Sequence, residues 1–325
     1  MHILVVGGAG YIGSHMVHTL LKAGHEVCVI DDLSAGNANS VKGAELLVGS
    51  LSDVYFLTEA FRTHAFDGVM NFASFIEVSE SIRDPAKFYK NNLANAITLF
   101  DAMRAASVKH LVFSSTAAVY GNPTSDLISE NHEKHPINPY GRGKWMVEQI
   151  LEDYENAYDF RSVSLRYFNA AGASTAEDLG ERHDPETHLI PLVLQTASGR
   201  RKVISLFGDD YDTPDGTCIR DYVHVMDICD AHLLALNYLL SGGKSAQFNL
   251  GNGNGFSVKE VINTAEKVTG KPINVDIQPR RKGDPSRLVA DARKAFSILG
   301  WQPARSSLEG IISDAWAWES KHPWL

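Results

Sequence analysis

The chain has 325 residues, 44% hydrophobic and 21% charged, which supplies apolar material for one large domain or two closely packed ones and excludes a disordered chain. Its formal charge of −9 speaks against nucleic acid as a partner, and no apolar run approaches the roughly 20 residues of a membrane span. The three cysteines, Cys28, Cys218 and Cys229, are far apart and form neither a CxxC pair nor an even disulfide framework, which predicts a reducing, cytoplasmic compartment and no structural metal.

From residue 1 to about 166, short β-branched runs alternate with longer helical patterns, as in a parallel α/β sheet. Strands are predicted at Ile3 to Val6, Glu26 to Ile30, Leu46 to Val48, Gly68 to Phe72, His110 to Ser115 and Ser162 to Arg166. Helices are predicted after Gly13, Ser52, Pro85 and Pro139, the last two starting just behind a proline that a first helical turn tolerates. Six strands with crossovers make a Rossmann-like, doubly wound sheet. Beyond Asn169 the alternation loosens into Gly-, Pro- and Asp-rich loops and shorter helices such as Val258 to Thr269. The expected division is a dinucleotide-binding part, residues 1–168 with 221–251 returning to it, and a substrate-binding α/β region over most of 169–325. No leader segment is expected, because the N-terminus runs directly into a strand.

Directly after the first strand stands Gly7-Gly8-Ala9-Gly10-Tyr11-Ile12-Gly13, which satisfies both GxxGxxG and GxGxxG. Sequence does not choose between the two registers. Glycines there let the backbone approach a pyrophosphate while the helix that follows offers its N–H groups and positive dipole end. A lone match also fits a merely tight turn. The second strand, however, ends in Asp31-Asp32, where a carboxylate accepts from adenosine ribose hydroxyls and repels a 2′-phosphate, so NAD is favoured over NADP.

Tyr140-Gly141-Arg142-Gly143-Lys144 sets a phenol and an ammonium four residues apart on one helix face. Such pairs are common by chance. Their place after strand five, which ends in Phe113-Ser114-Ser115-Thr116, puts hydroxyl, phenol and ammonium at the carboxyl end of the sheet, where open α/β sheets bind ligands. For the phenol to act as a base its pKa near 10 must fall by about three units, roughly 4 kcal/mol. A solvated ammonium at 4 Å supplies only about 1 kcal/mol, so a desolvated site with Lys144 and a cationic nicotinamide acting together is expected.

These residues resemble the extended short-chain dehydrogenase/reductase family and, within it, the UDP-glucose 4-epimerases. The resemblance runs through the glycine motif, Phe72-Ala73, Asn91-Asn92, Ser114 to Gly121, Tyr140 to Lys144, Arg166-Tyr167-Phe168-Asn169, Phe207 to Tyr211, Asp215 to His224 and Pro279-Arg280-Arg281-Lys282-Gly283-Asp284. It implies Thr116, Tyr140 and Lys144 as catalytic. It implies NAD contacts from Gly7, Gly10, Tyr11, Ile12, Gly13, Asp31, Asp32, Ser50, Leu51, Phe72, Ala73, Ser74, Asn92, Ser114, Tyr140, Lys144 and Phe168. For a UDP-sugar it implies Thr116, Asn169, His188, Leu189, Ser205, Phe207, Arg220, Arg281, Asp284 and Leu288.

Arginine forks suit a diphosphate and would offset the negative net charge, although surface ion pairing is the plainer reading of Arg220 and Arg281. The chain departs from the family pattern at Ser50, where an acid for the adenine edge is common, at Ile76, where some members have a lysine, and at His188, where an asparagine is expected. Leu288 stands where members restricted to unmodified hexoses often have tyrosine, so the UDP-N-acetylhexosamine pair is a further expected substrate beside UDP-glucose and UDP-galactose. His132 and His135 lie in a polar loop without an acid-rich set, and no metal is expected. The helices Phe88 to Ala106 and Arg142 to Tyr158 are expected to pair across a homodimer. Two rivals remain: a nucleotide-sugar 4,6-dehydratase, which would place acids directly after the strand-five threonine, and an NAD-sensing protein without the catalytic pair. Here Ala117 and Ala118 follow Thr116, and Tyr140 and Lys144 are present.

Overall fold

The computed structural model describes residues 1–123, 125–281 and 284–322. Lys282 and Gly283, part of the expected substrate motif, lie outside the described residues. Strands β1 (His2–Val6), β2 (Glu26–Asp31), β3 (Glu45–Val48), β4 (Gly68–Asn71), β5 (His110–Thr116) and β6 (Arg161–Tyr167) match the expected six within two residues at each end. The remaining strands are β7 (Asn169–Ala171), β8 (Ile204–Phe207), β9 (Ile219–Arg220), β10 (Tyr222–His224), β11 (Ala246–Leu250), β12 (Phe256–Ser257), β13 (Val275–Gln278) and β14 (Arg287–Leu288).

The central sheet has seven strands in the order β11-β6-β5-β4-β1-β2-β3, all parallel, so a seventh strand joins the expected six. Side chains alternate across it with period two. In β1, Ile3 and Val5 face a core that includes Met16, Val17 and Leu20 of the helix Tyr11–Lys22 and Ala235 and Leu236 of the helix Val225–Leu240. Leu4 and Val6 face the other core, with Leu57, Phe100, Val147 and Leu151 from the helices Val54–Thr63, Asn95–Ala105 and Pro139–Tyr158. Each such fully buried side chain contributes about 1.5–3 kcal/mol of transfer free energy, which is why a sheet covered on both faces reads as near-continuous apolar runs.

A further core joins the helices Leu189–Ala197, Val258–Thr269 and Leu308–Lys321. Val258–Thr269 forms where its punctuation predicts. Ser257 and Glu260 make a reciprocal capping box at its start, and Gly270 adopts φ +64° just past its end, a left-handed residue that a side chain would disfavour.

Two helix expectations need correction. The first helix begins at Tyr11, so Gly13 lies inside its first turn rather than before it. The helix expected from Phe88 to Ala106 is interrupted: an α-turn Pro85–Phe88 passes into a π-helical segment, Tyr89–Ala94, before the α-helix Asn95–Ala105. Periodicity cannot reveal the change, because a π segment shifts the hydrogen-bond register without leaving a distinct residue signature.

Candidate active site

The glycine turn connects β1 to the helix Tyr11–Lys22 at the point where β1 lies between β2 and β4, the switch in strand order. Both motif registers are used sterically. A Cβ on Gly7, which has φ +75°, would come within 2.6 Å of Ala73 N, one on Gly8 within 2.7 Å of Val29, and one on Gly13 within 2.1 Å of Gly7 O. Gly10 differs, since its Cβ would meet only Gly7 O at 3.4 Å, and it heads a helix with no side-chain cap. The protein itself therefore does not demand glycine at position 10. An uncapped helix start with no Cβ over it is the cradle a pyrophosphate needs.

Asp31 is nearly buried at the end of β2 and holds this turn: its Oδ2 accepts from Ala9 N at 2.9 Å and its Oδ1 from Leu33 N at 2.9 Å. Burial raises its pKa, against those two hydrogen bonds. Each oxygen keeps a further lone pair for a ribose hydroxyl. Asp32 turns outward to Ser34 N at 2.9 Å. Ser50 bonds Ser52 Oγ at 2.9 Å, and Leu51 packs into the core behind it. Past β4, Phe72 lies against the His232 ring at 4.6 Å, Ala73 N donates to Asn71 Oδ1 at 3.0 Å, and Ser74 Oγ donates to Phe75 O at 3.0 Å. Asn92, within the π segment, accepts from Phe75 N and donates to Phe75 O, both at 2.8 Å. It thus pins the 72–76 loop, a positioning task that its expected role as a cofactor contact did not include.

Pro139 and Asn138 start the helix that carries the phenol: Asn138 Oδ1 accepts from Gly141 N at 2.8 Å, and Pro139 fills the first turn. Gly141 fits because a Cβ there would lie 2.5 Å from Ala118 O, so the helix rests directly on the turn after β5. Thr116 is buried at the end of β5, where its Oγ1 accepts from Ala118 N at 3.1 Å and its hydroxyl acts on the Tyr140 phenol. Burial pushes the Tyr140 phenol up, while the Thr116 bond works in the opposite direction.

Lys144 is buried, and its Nζ donates to Ser114 O at 2.8 Å and lies 4.9 Å from the centre of the Phe113 ring. Burial pushes its pKa down to about 7, with the Glu148 carboxylate pulling the other way. Ser114 Oγ in turn bonds the Tyr167 hydroxyl, and burial raises the pKa of that phenol.

Behind this cluster is a buried polar network absent from the sequence reading. Glu148, one turn beyond Lys144, accepts from Arg166 Nε at 2.9 Å and from Ser115 Oγ at 2.5 Å. Arg166 Nη1 donates to Tyr120 OH at 2.9 Å, which donates to Asn249 Oδ1 at 2.6 Å. The i, i+4 spacing of Lys144 and Glu148 was the available signal.

The expected substrate residues fall into two groups. Asn169 opens β7, and Arg220 and Leu288 are register partners in β9 and β14. All three converge on Asp221, which is fully buried: Asn169 Nδ2 donates to its carbonyl at 3.1 Å, and its N–H donates to Leu288 O at 3.1 Å. The Asp221 carboxylate accepts from Asn252 N at 2.7 Å, Gly253 N at 3.1 Å and Ala290 N at 3.0 Å. Burial nevertheless raises its pKa to about 6.

Leu288 and Phe168 both pack against Ala117, Val119, Tyr120 and Ile128, beside the turn that follows Thr116. In the second group, Ser205 and Phe207 lie on β8, paired with β13, and the Arg281 guanidinium sits 3.9 Å over the Phe207 ring. An ion pair joins the groups, with Arg220 Nη2 donating to Asp284 Oδ1 at 2.5 Å. Arg220 is thus paired and mostly buried, between the two readings weighed for it, whereas Arg281 is exposed.

His188 caps the helix Leu189–Ala197, bringing Leu189 to that helix start, and its Nδ1 lies against Glu181 Oε1. Tyr11 anchors the facing side: its hydroxyl donates to Gly172 O at 2.6 Å, and its ring lies 6.4 Å from that of His183. Ile12 packs on the core beneath, with its carbonyl accepting from Cys229.

A turn shaped for a pyrophosphate after β1, with a buried threonine at the end of β5 and a tyrosine opening the helix that rests on the turn after it, is the arrangement of the dinucleotide-dependent extended short-chain dehydrogenases/reductases. A family profile described as GDP-mannose 4,6 dehydratase matches residues 4–314. A UDP-glucose 4-epimerase of Halalkalibacterium halodurans is 49% identical over 99% of this chain and 97% of its own. A solved UDP-glucose 4-epimerase from Brucella ovis in complex with NAD is 44% identical, covers 97% of each chain and has a TM-score of 0.95. Another, from Bifidobacterium longum in complex with NAD+ and UDP, is 36% identical over 99% of each chain with a TM-score of 0.94. The chain belongs to the UDP-glucose 4-epimerase family.

Proposed function

We propose that this chain interconverts UDP-glucose and UDP-galactose by NAD-dependent inversion at C4 through a transient 4-keto sugar. The observation that carries the reading is that Thr116 ends β5 and the helix bearing Tyr140 starts directly on the turn after it, where a Cβ on Gly141 would lie 2.5 Å from Ala118 O, in the same parallel sheet whose β1 feeds the glycine turn. Ala117 and Ala118 follow Thr116, so the acid that a dehydratase needs for eliminating water is missing at those positions.

Gly7, Gly10 and Gly13 would cradle NAD and Asp31 would accept from its ribose hydroxyls, and the bound cofactor would supply reversible hydride acceptance and a positively charged ring. Tyr140 takes the proton of the sugar 4-hydroxyl and later returns it, and Thr116 orients that hydroxyl. Against burial, Thr116 is the protein's own influence lowering the phenol's pKa. Lys144 holds the site through Ser114 O and retains donors for the nicotinamide ribose. Phe72, Ala73, Ser74, Ser114 and Phe168 wall the nicotinamide side. Asn169, Leu189, Phe207, Arg220, Arg281 and Asp284 would anchor the uridine diphosphate while the keto ring turns over, leaving the ring free to present its opposite face to the nicotinamide side.

In this reading residues 1–168, with the helix Val225–Leu240 and β11, serve the cofactor, and most of 169–325 serves the UDP-sugar. Among the described residues no helix is long and apolar enough to cross a membrane. A cytoplasmic homodimer is part of the proposal, its interface formed by the helices Asn95–Ala105 and Pro139–Tyr158. Leu93, Ile97, Met146 and Ile150, on or beside those helices, stay partly exposed, which supports it.

The test is incubation of the purified chain with UDP-galactose and no added cofactor, with chromatographic resolution of the products. UDP-glucose is expected, approaching the same ratio from either sugar. A 4-keto-6-deoxy sugar as product, or no turnover even with NAD supplied, overturns the reading.

A further inference from the structure

Four side chains of one short loop, Glu181, His183, Glu186 and His188, bring a ligand atom each to within 4.8 Å of one another. The two carboxylates are deeply buried, with 6% and 5% of their side-chain surface exposed. His183 Nδ1 lies 3.2 Å from Glu181 Oε1 and 3.7 Å from Glu186 Oε2, and His188 Nδ1 lies against Glu181 and 3.8 Å from Glu186 Oε1. Both imidazoles therefore aim the same ring nitrogen at the same pair of carboxylates.

A second observation points to a ligand. His183 Nδ1 is buried and, despite those short distances, makes no properly directed hydrogen bond. A buried ring nitrogen without a bond is costly, even though the two imidazoles already stand at ion-pair distance from both carboxylates and Glu186 Oε1 also accepts from the N–H groups of Thr187 and His188.

We propose that Glu181, His183, Glu186 and His188 bind one divalent transition-metal ion of the zinc class. Two imidazole nitrogens and two carboxylate oxygens are a common borderline donor set, and two carboxylates with neutral imidazoles balance a 2+ ion. Tetrahedral bonds of about 2.0–2.2 Å set ligand atoms roughly 3.3–3.6 Å apart, so the observed spread closes by about 1 Å on binding. Four protein ligands leave no open position, so the role is structural. The ion ties the loop ahead of Leu189 into a fixed shape against Tyr11, whose ring edges that of His183.

The experiment uses the full chain without an affinity tag, dialysed against Zn2+, freed of loose metal and measured by elemental analysis. About one equivalent per chain is expected. Chelation should lower Tm and Zn2+ should restore it, and Co2+ added to the stripped chain should give the intense visible bands of a four-coordinate site. His188→Asn and Glu186→Gln should each lower the retained metal at least tenfold while the far-ultraviolet circular dichroism of the folded chain is kept. Less than about a tenth of an equivalent in the parent, or full metal retention in the double variant, overturns the proposal. Should the variants fail to fold, the chelation and Co2+ arms on the parent decide it alone.

Discussion

Glu148 grips Arg166 two turns beyond Tyr140 along the same helix: Oε1 accepts from Nε at 2.9 Å and Oε2 from Nη2 at 2.5 Å, with both side chains 4% exposed. Because the same carboxylate raises the pKa of Lys144 against burial, the pair acts on both the fold and the site. Removing one partner strands the other as a buried charge. Glu148→Gln is therefore expected to lower stability by about 3–5 kcal/mol, and Glu148→Gln/Arg166→Met to recover much of that. Urea unfolding of the single and double variants checks this. Equal losses in both would show that the pairing is not what matters.

Tyr140→Phe removes only the phenolic oxygen and keeps the ring. Turnover of UDP-galactose should fall by about 10²–10⁴-fold, while UDP affinity, measured by calorimetry, stays within a few-fold. Turnover close to that of the parent would take the acid/base role away from Tyr140.

His232 predicts an acid limb of stability. It is fully buried, its Nδ1 donates to Ile228 O at 2.9 Å, and its Nε2 has no partner, so burial pushes its pKa from 6.5 down to about 4. Between those values the unfolded chain binds a proton that the folded chain refuses, so stability is lost as pH falls, by about 1.4 kcal/mol per unit and about 3 kcal/mol in all. His15, lowered to about 4 by burial, adds the same slope. Asp221, raised to about 6, opposes it over the lower part of the range. Compared with the parent, His232→Gln should lose less stability between pH 6.5 and 4.5. Parallel curves for the two proteins would contradict this.

Leu288 packs against the same cluster as Phe168, beside the turn after Thr116, so in the proposed site a tyrosine there would crowd the sugar. Overpacking of this kind costs about 1–3 kcal/mol. The parent should epimerise UDP-N-acetylgalactosamine measurably, and Leu288→Tyr should lower its kcat/KM relative to UDP-galactose by tenfold or more. An unchanged ratio would clear Leu288 of the gating role.

The sheet and the glycine turn were legible because they rest on local signals, namely apolar runs of strand length, prolines at helix starts, and glycines where a Cβ has no room. The π segment at Tyr89–Ala94 was not, since it differs from an α-helix in register and not in composition. The direction of Lys144 also escaped: spacing places it on the face of Tyr140, but only the folded backbone shows that Ser114 O is the acceptor it meets. Asp221 read merely as part of a family motif, and its three backbone donors come from loops 31 to 69 residues away. His188 read only as a departure from the family pattern at a sugar contact, and nothing in the spacing of Glu181, His183, Glu186 and His188 shows that the four side chains meet.

That single Asp221 carboxylate also orders events during synthesis. One of the N–H groups it needs belongs to Ala290, in the last eighth of the chain, and a Cβ on Gly251 would already collide with its Oδ2 at 2.3 Å. The strands of the N-terminal half can pair as they leave the ribosome, but the knot of chain around Asp221 closes only after residue 290 has emerged. Until then a carboxylate destined for full burial stays in water, and the segments that meet at Asp221 wait on the stretch of chain that carries Ala290.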